Sequence, residues 1–180
     1  MAQWTFDPAH SSANFTVRHM MVTNVRGTLG AISGTLNFDP ENLANSSVEA
    51  SIDVAGINTG VADRDGHLRS ADFFEVEKYP NITFKSTNVE ATGDNTAKVT
   101  GDLTIRDVTN TVVLNVEFLG QGGSPFGDTR AGFEATTTIN REAFGLTWNQ
   151  ALEAGGVLVG NDVKVSLDVQ TILVTETANA

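Results

Sequence analysis

The chain has 180 residues, 40% of them hydrophobic and 18% charged, a composition with enough apolar chain for one good core. Eleven Lys and Arg against twenty-two Asp and Glu leave a formal net charge of −11. That charge repels phosphate backbones and anionic headgroups, so it argues against nucleic-acid partners and electrostatic membrane docking. There is no cysteine, which excludes disulfides, thiolate metal sites, iron–sulfur clusters and cysteine nucleophiles.

Two-residue alternation dominates, and helical periodicity is nearly absent. Trp4 reads as the start of the fold. From Asn14 to Val22 one face carries Phe15, Val17, His19 and Met21, and the other Asn14, Thr16, Arg18 and Met20. A second stretch runs from Val25 to Phe38, and Asp39-Pro40-Glu41 predicts a capped helical turn with proline in its first position. Val48, Ala50, Ile52 and Val54 then alternate with Glu49, Ser51 and Asp53. Gly56 to Asn81 is too long for a hairpin connection and predicts a short helix around Asp63 to Ser70. Ile82 and Phe84 oppose Thr83 and Lys85, and Gly93-Asp94-Asn95 predicts a hairpin turn. Val99, Gly101, Leu103 and Ile105 follow on one face; Val112, Leu114, Val116 and Phe118 do so in the next strand. The glycine-rich Gln121 to Asp128 stretch predicts another turn. Ala131, Phe133, Ala135 and Ile139 come next. Arg141 to Gly160 is a second long segment, with Phe144, Leu146 and Trp148 between glycines. Val163, Val165, Leu167 and Val169 complete the pattern.

About eight long strands, wet on one face and dry on the other, predict an antiparallel sheet. Long open edges invite aggregation, so closure follows. The expected fold is a single all-β domain over residues 1–180, an eight-stranded antiparallel barrel with one short helix in a long loop. Ala31, Ala50, Gly101, Ala131 and Ala135 fall at inward positions beside Phe15, Phe84, Phe118 and Phe133. Two readings stand together: the rings fill the interior, or the small residues leave a cavity.

Three stretches carry a family likeness. Trp4-Thr-Phe-Asp7-Pro-Ala-His10-Ser11 leads into Phe15-Thr-Val-Arg18-His19-Met20 and Val25-Arg26-Gly27. Arg64-Asp65-Gly-His67-Leu68 precedes Asp72-Phe73-Phe74 and Tyr79-Pro80-Asn-Ile-Thr-Phe84. Arg141-Glu-Ala-Phe144-Gly145-Leu146-Thr-Trp148 precedes Val159-Gly160-Asn-Asp-Val163. Together they resemble the YceI-like family over essentially the whole chain. The resemblance implies an extended, lipocalin-like barrel with a polyisoprenoid lipid in its pore, such as an isoprenoid quinone or polyprenyl phosphate. No further cofactor is expected.

The polar residues admit sharper and plainer readings. His10, His19 and His67 could form a metal site, but His10 and His19 are nine residues apart and would face opposite ways on one strand; no pair has zinc-motif spacing. His19 follows Phe15 and Val17 inward, as a polar group in the pore. Arg64 and His67 are expected to meet a headgroup at the mouth, or else to pin their loop with Asp65. Phe73, Phe74, Phe144 and Trp148 close one end or anchor loops in the core. Ser11 and Ser12 beside His10 lack the surroundings of a nucleophile.

The chain is therefore expected to be a lipid-binding protein and not an enzyme. Phe15, Val17, His19, Phe84, Phe133, Ala135, Arg64, His67, Phe73, Phe74 and Trp148 are its candidate ligand contacts. An isoprenoid or quinone enzyme using His19 or His67, and a stress-associated interaction protein with a filled core, are the competing readings. A homodimer fits any of these. No apolar run approaches the ~20 residues of a spanning helix, so no stable membrane insertion is expected. Without a secretory leader the chain as given is expected in the cytoplasm; a Met1 ahead of a mature exported chain would instead leave it periplasmic or secreted.

Overall fold

A computed structural model of the chain describes residues 1–153 and 155–175. The alternating stretches form ten strands: β1 (Ala2–Phe6), β2 (Ser12–His19), β3 (Thr23–Thr28), β4 (Ile32–Phe38), β5 (Ser47–Asp53), β6 (Asn81–Ala91), β7 (Thr96–Ile105), β8 (Val108–Gly123), β9 (Thr129–Asn140) and β10 (Val159–Leu173). All pairings are antiparallel, and β1 joins β4 on one side and β10 on the other, closing the ring β1-β4-β5-β6-β7-β8-β9-β10. β2 continues β1 along β10, and β3 pairs with β2. The barrel thus has eight staves, two of them kinked.

The kinks have identifiable causes. Between β1 and β2 the chain makes a 3-10 turn at Pro8–His10, with Asp7 capping Ala9 N–H. Between β3 and β4 Gly30 takes φ +126°, and a Cβ there would lie 1.8 Å from the Asp53 carbonyl oxygen. Only glycine fits both the conformation and the approach. This break splits the Val25 to Phe38 stretch in two and turns Ala31 outward, where it is exposed, correcting its inward assignment. The helical turn expected at Asp39-Pro40-Glu41 also lies further on, at Leu43–Asn45. Asp39 Oδ1 instead accepts from Glu41 and Asn42 N–H in an Asx turn.

The loops sort into two ends. At the hairpin end, β6 meets β7, β8 meets β9 through Ser124 to Asp128, and residues 39–46 cross from β4 to β5. At the other end lie the β2–β3 tip, the long segment containing α1 (Ala62–Arg69) and the 141–158 segment. Apolar packing at the α1 end is continuous. Val54, Ile82, Ile105, Phe144 and Leu146 form one cluster, Ala13, Phe15, Leu29 and Ile57 another, and Phe74 touches both. At the hairpin end Trp4, Phe38 and Ala131 pack with Phe118 and Phe133. Among the described residues no helix is long and apolar enough to cross a membrane.

Candidate functional site

Between these two packed ends the barrel is hollow. The inward side chains of Leu36, Phe84, Leu114, Val116, Phe133, Val165 and Leu167 point into the lumen, yet none is fully buried. In a filled core such residues would touch neighbours on every side. Here they surround a cavity of about 180 Å³. Val112, Leu114, Val116 and Phe118 of β8 line one wall, and Val165, Leu167 and Val169 of β10 another. Ala135 lies between Val116 and Leu167 in register, where its methyl leaves room that a larger side chain would take.

The other small residues act differently. A Cβ on Gly101 would lie 2.4 Å from Phe84 Cζ and 2.5 Å from the Lys85 carbonyl oxygen, so that glycine seats the Phe84 ring against the wall. Ala131 is 1% exposed and packs under Trp4 and Phe38. Ala50 lines the lumen.

Among the described residues no Lys, Arg, His, Asp or Glu lines the cavity. Its polar lining is confined to Ser46, Ser47, Thr83, Asn95 and Thr137. Ser46, Ser47 and Asn95 belong to the hairpin end, beside an aromatic group. There the Phe38 ring centroid lies 5.0 Å from Phe118 and 5.2 Å from Phe133. Behind Phe38, the Trp4 indole N–H is buried without a hydrogen-bond partner among the described residues.

The sequence-derived contacts divide into groups. Phe84, Phe133 and Ala135 line the cavity. Phe15 and Val17 pack in the second α1-end cluster, with Phe15 against Gly27. His19 ends β2 opposite Val159 and Thr23, off the lumen wall. Arg64 donates to Thr59 Oγ1 at 2.7 Å and to the Thr59 carbonyl at 2.9 Å. Asp65, buried, accepts from Thr59 N–H at 2.8 Å and from its hydroxyl at 2.5 Å; the hydroxyl above all holds its carboxyl below the usual range. Arg69 donates to the Ala55 and Ile57 carbonyls. Helix α1 is thereby fastened to residues 55–59 before it, a 3-10 turn and the extended stretch that follows.

His67 meets Asp72 at 2.9 Å, not Asp65. Its ring stands edge-on to Phe73 at 5.1 Å and to Trp148 at 4.6 Å. These three join the α1 loop to the 141–158 segment on the outer side of the apolar cluster, while Phe74 is part of that cluster. His10 pairs with Asp7 at 2.7 Å, on the outside of the barrel. The three histidines therefore have separate surroundings.

Arg141 is a residue to which sequence reasoning assigned no role. It is 3% exposed. Its guanidinium donates to the carbonyls of Leu146 at 2.6 Å, Gly160 at 2.8 Å, Trp148 at 2.9 Å and Val159 at 3.2 Å. Burial lowers its pKa from the ordinary arginine value. An irregular segment has carbonyls without strand partners, and a planar five-donor group can gather several of them. The signal in the sequence is an arginine directly before an apolar, glycine-punctuated loop.

Comparison with known proteins agrees with this architecture. UPF0312 proteins of Staphylococcus aureus are 41% identical over 165 residues, covering 91% of this chain and 94% of theirs. The crystal structure of BcnA from Burkholderia cenocepacia is similar with a TM-score of 0.80 at 25% identity, covering 92% of this chain and 98% of that one. The YceI protein of Campylobacter jejuni follows at 0.73 and 30% identity, covering 86% and 88%. A polyisoprenoid binding domain from Saccharophagus degradans shares the fold at 0.71 and 17% identity, over 97% of this chain and 100% of its own. The YceI-like domain itself matches residues 4–171, and with the closed hollow barrel now described, the chain belongs to the YceI-like family.

Proposed function

We propose that the barrel binds an isoprenoid lipid with an uncharged head, of the isoprenoid quinone type, and carries or stores it. What supports this is a lumen lined by apolar side chains, with no charged group among the described residues of its wall. The similarity to the polyisoprenoid binding domain of Saccharophagus degradans supports the ligand class.

Burying ~20 chain carbons at ~0.8 kcal/mol each gives ~16 kcal/mol gross, of which ordering the chain and lost translation remove a large part. The cavity of about 180 Å³ is close to the ~150 Å³ that admits one benzene. A long chain therefore enters by moving Leu36, Leu114 and Leu167 to other rotamers. The head belongs at the hairpin end, where the Phe38, Phe118 and Phe133 rings face a quinone ring and Ser46, Ser47 and Asn95 offer donors. A phosphate head would lie in the lumen without a cation, and an uncompensated buried charge costs several kcal/mol. Among its described residues the wall also holds no imidazole or carboxylate for acid–base chemistry, which favours binding over turnover.

Native mass spectrometry with lipid identification after organic extraction tests this. The expected result is a quinone or a similar neutral isoprenoid at one per barrel, with polyprenyl phosphate bound at least a hundredfold more weakly. Protein that carries no lipid and takes up neither added quinone nor polyprenyl phosphate would overturn the reading.

A further inference from the structure

We propose that the β2–β3 tip is a docking site for an anionic lipid bilayer. Met20, Met21 and Val22 form this tip and are 46%, 56% and 71% exposed. Turns ordinarily place Gly, Asn, Asp or Ser in such positions. Met20 and Met21 moreover have φ of 52° and 66°, a left-handed backbone that disfavours a methionine side chain. The sequence keeps apolar bulk where the backbone favours glycine or asparagine. Val157 at 36% exposure adds to the patch. Gly156 brings that loop against Met21, since a Cβ there would lie 3.1 Å from Met21 Cγ. The Met20 N–H donates to the Leu158 carbonyl at 2.8 Å, holding the tip to the same loop.

Charge identifies the occupant. Arg18 on β2 is exposed beside the tip, and Arg26 on β3 and Lys164 on β10 are exposed further down the outer face, in the row of Thr16. Thr16 is the register partner of both Arg26 and Lys164, so these cations occupy neighbouring rows. None of the three forms an ion pair among the described residues. In a chain of net charge −11, three exposed cations gather here, with exposed Asp162 two residues from Lys164 on the same face of β10. The turn at the opposite end also shows a large apolar group, Phe126, 79% exposed. Its neighbouring cation, Arg130, is held by Asp128 and Asp7. Of the two turns, the β2–β3 tip alone joins exposed apolar side chains to cations without acidic partners. That combination suits apolar groups at the headgroup boundary with basic residues on anionic headgroups. The proposal stands whatever the lumen holds.

Co-sedimentation of the full chain with vesicles tests it. Binding is expected to phosphatidylcholine vesicles containing phosphatidylglycerol, to be weak on pure phosphatidylcholine, and to fall with added salt. Met21→Ser with Val22→Asp should reduce binding at least tenfold while circular dichroism and bound-lipid content stay unchanged. Arg26→Ala and Lys164→Ala should each reduce it about fivefold. Absence of binding by the natural chain, or equal binding by the tip variant, would overturn the proposal. So would a dimer in solution that the tip variant dissolves, because a second copy would then be the occupant.

Discussion

At the α1 end the backbone leaves the barrel for two long excursions, and buried polar groups hold them in place. At the hairpin end the strands turn within a few residues, and aromatic rings do the packing. The difference follows from where backbone groups find partners. Strand pairing satisfies most backbone groups of the hairpins, and the charged groups there, Asp39 and the Arg130–Asp128 pair, serve the turns outside the lumen. The excursions have carbonyls that no strand reaches, so Arg141, Arg69 and Arg64 supply donors. The cations consequently gather behind the apolar cluster, out of the lumen, and the cavity keeps a neutral wall. Closure of one end and the binding chemistry of the other are two results of one distribution of polar groups.

Removing the strongest of these ties should have the largest effect. Arg141→Ala leaves the Leu146, Trp148 and Gly160 carbonyls without their donor, while that of Val159 keeps Asn149 Nδ2, and the loss should be about 3–4 kcal/mol in denaturant unfolding. Arg141→Lys should recover part of it, since one ammonium cannot reach every carbonyl. A cost below about 1 kcal/mol would mean that apolar contacts and the Asn149–Val159 hydrogen bonds hold the 141–158 segment without Arg141.

The lumen is tested by filling it. Ala135→Trp should abolish lipid uptake and cost less than the roughly 1–3 kcal/mol typical of overpacking, because Ala135 faces open space. Gly101→Ala provides the contrast: its methyl meets Phe84 and the Lys85 carbonyl, and it should cost the full roughly 1–3 kcal/mol. Equal destabilisation by both, measured by unfolding and quinone titration on the same proteins, would show that the wall at Ala135 yields no space.

A smaller effect separates the ends by ligand. His67→Ala removes a bond to Asp72 and two ring contacts, worth about 1 kcal/mol of stability. Affinity for a quinone and for the bare isoprenoid alcohol should change equally, because His67 lies off the lumen wall. Selective loss of the quinone would place the head at the α1 end instead.

Much of this architecture was legible because alternation of side chains reports which face is dry. Val163, Val165, Leu167 and Val169 were assigned inward from that rhythm, and Val165, Leu167 and Val169 line the cavity. The rhythm failed at Ala31, where the Gly30 conformation resets the phase. It also could not distinguish a filled wall from a hollow one: Gly101 and Ala135 look equivalent as small inward residues, and the Phe84 ring and Lys85 carbonyl crowding Gly101 separate them. His67 beside Arg64 and Asp65 in sequence suggested a shared network. A helix turns neighbours to different faces, so Asp65 reaches Thr59 while His67 reaches Asp72. Net charge, finally, averages over the surface and conceals the cations near the β2–β3 tip.

Acid should separate the two ends most subtly. Asp65 at the α1 end is held below the ordinary carboxylate range by the Thr59 hydroxyl. At the hairpin end Asp7 is lowered first by His10, Asp39 by the Asn45 side chain and Asp128 by Arg130. A carboxyl whose folded pKa is depressed favours folding fully only above its unfolded value, about 3.9 for Asp. That contribution is lost as pH falls from there through the lower folded value. Three such groups at the hairpin end against one at the α1 end predict that the hairpin end loosens first below pH about 4. Hydrogen exchange at acid pH should show amides of residues 39–46 and 124–130 losing protection before those of residues 57–70. His10→Ala should raise the Asp7 pKa in an NMR titration and flatten the acid dependence of stability, leaving Asp65 unmoved. Loss of protection beginning at α1 would mean that the single buried Asp65 outweighs three more accessible carboxylates, and that the polar fastening is the weaker closure in acid.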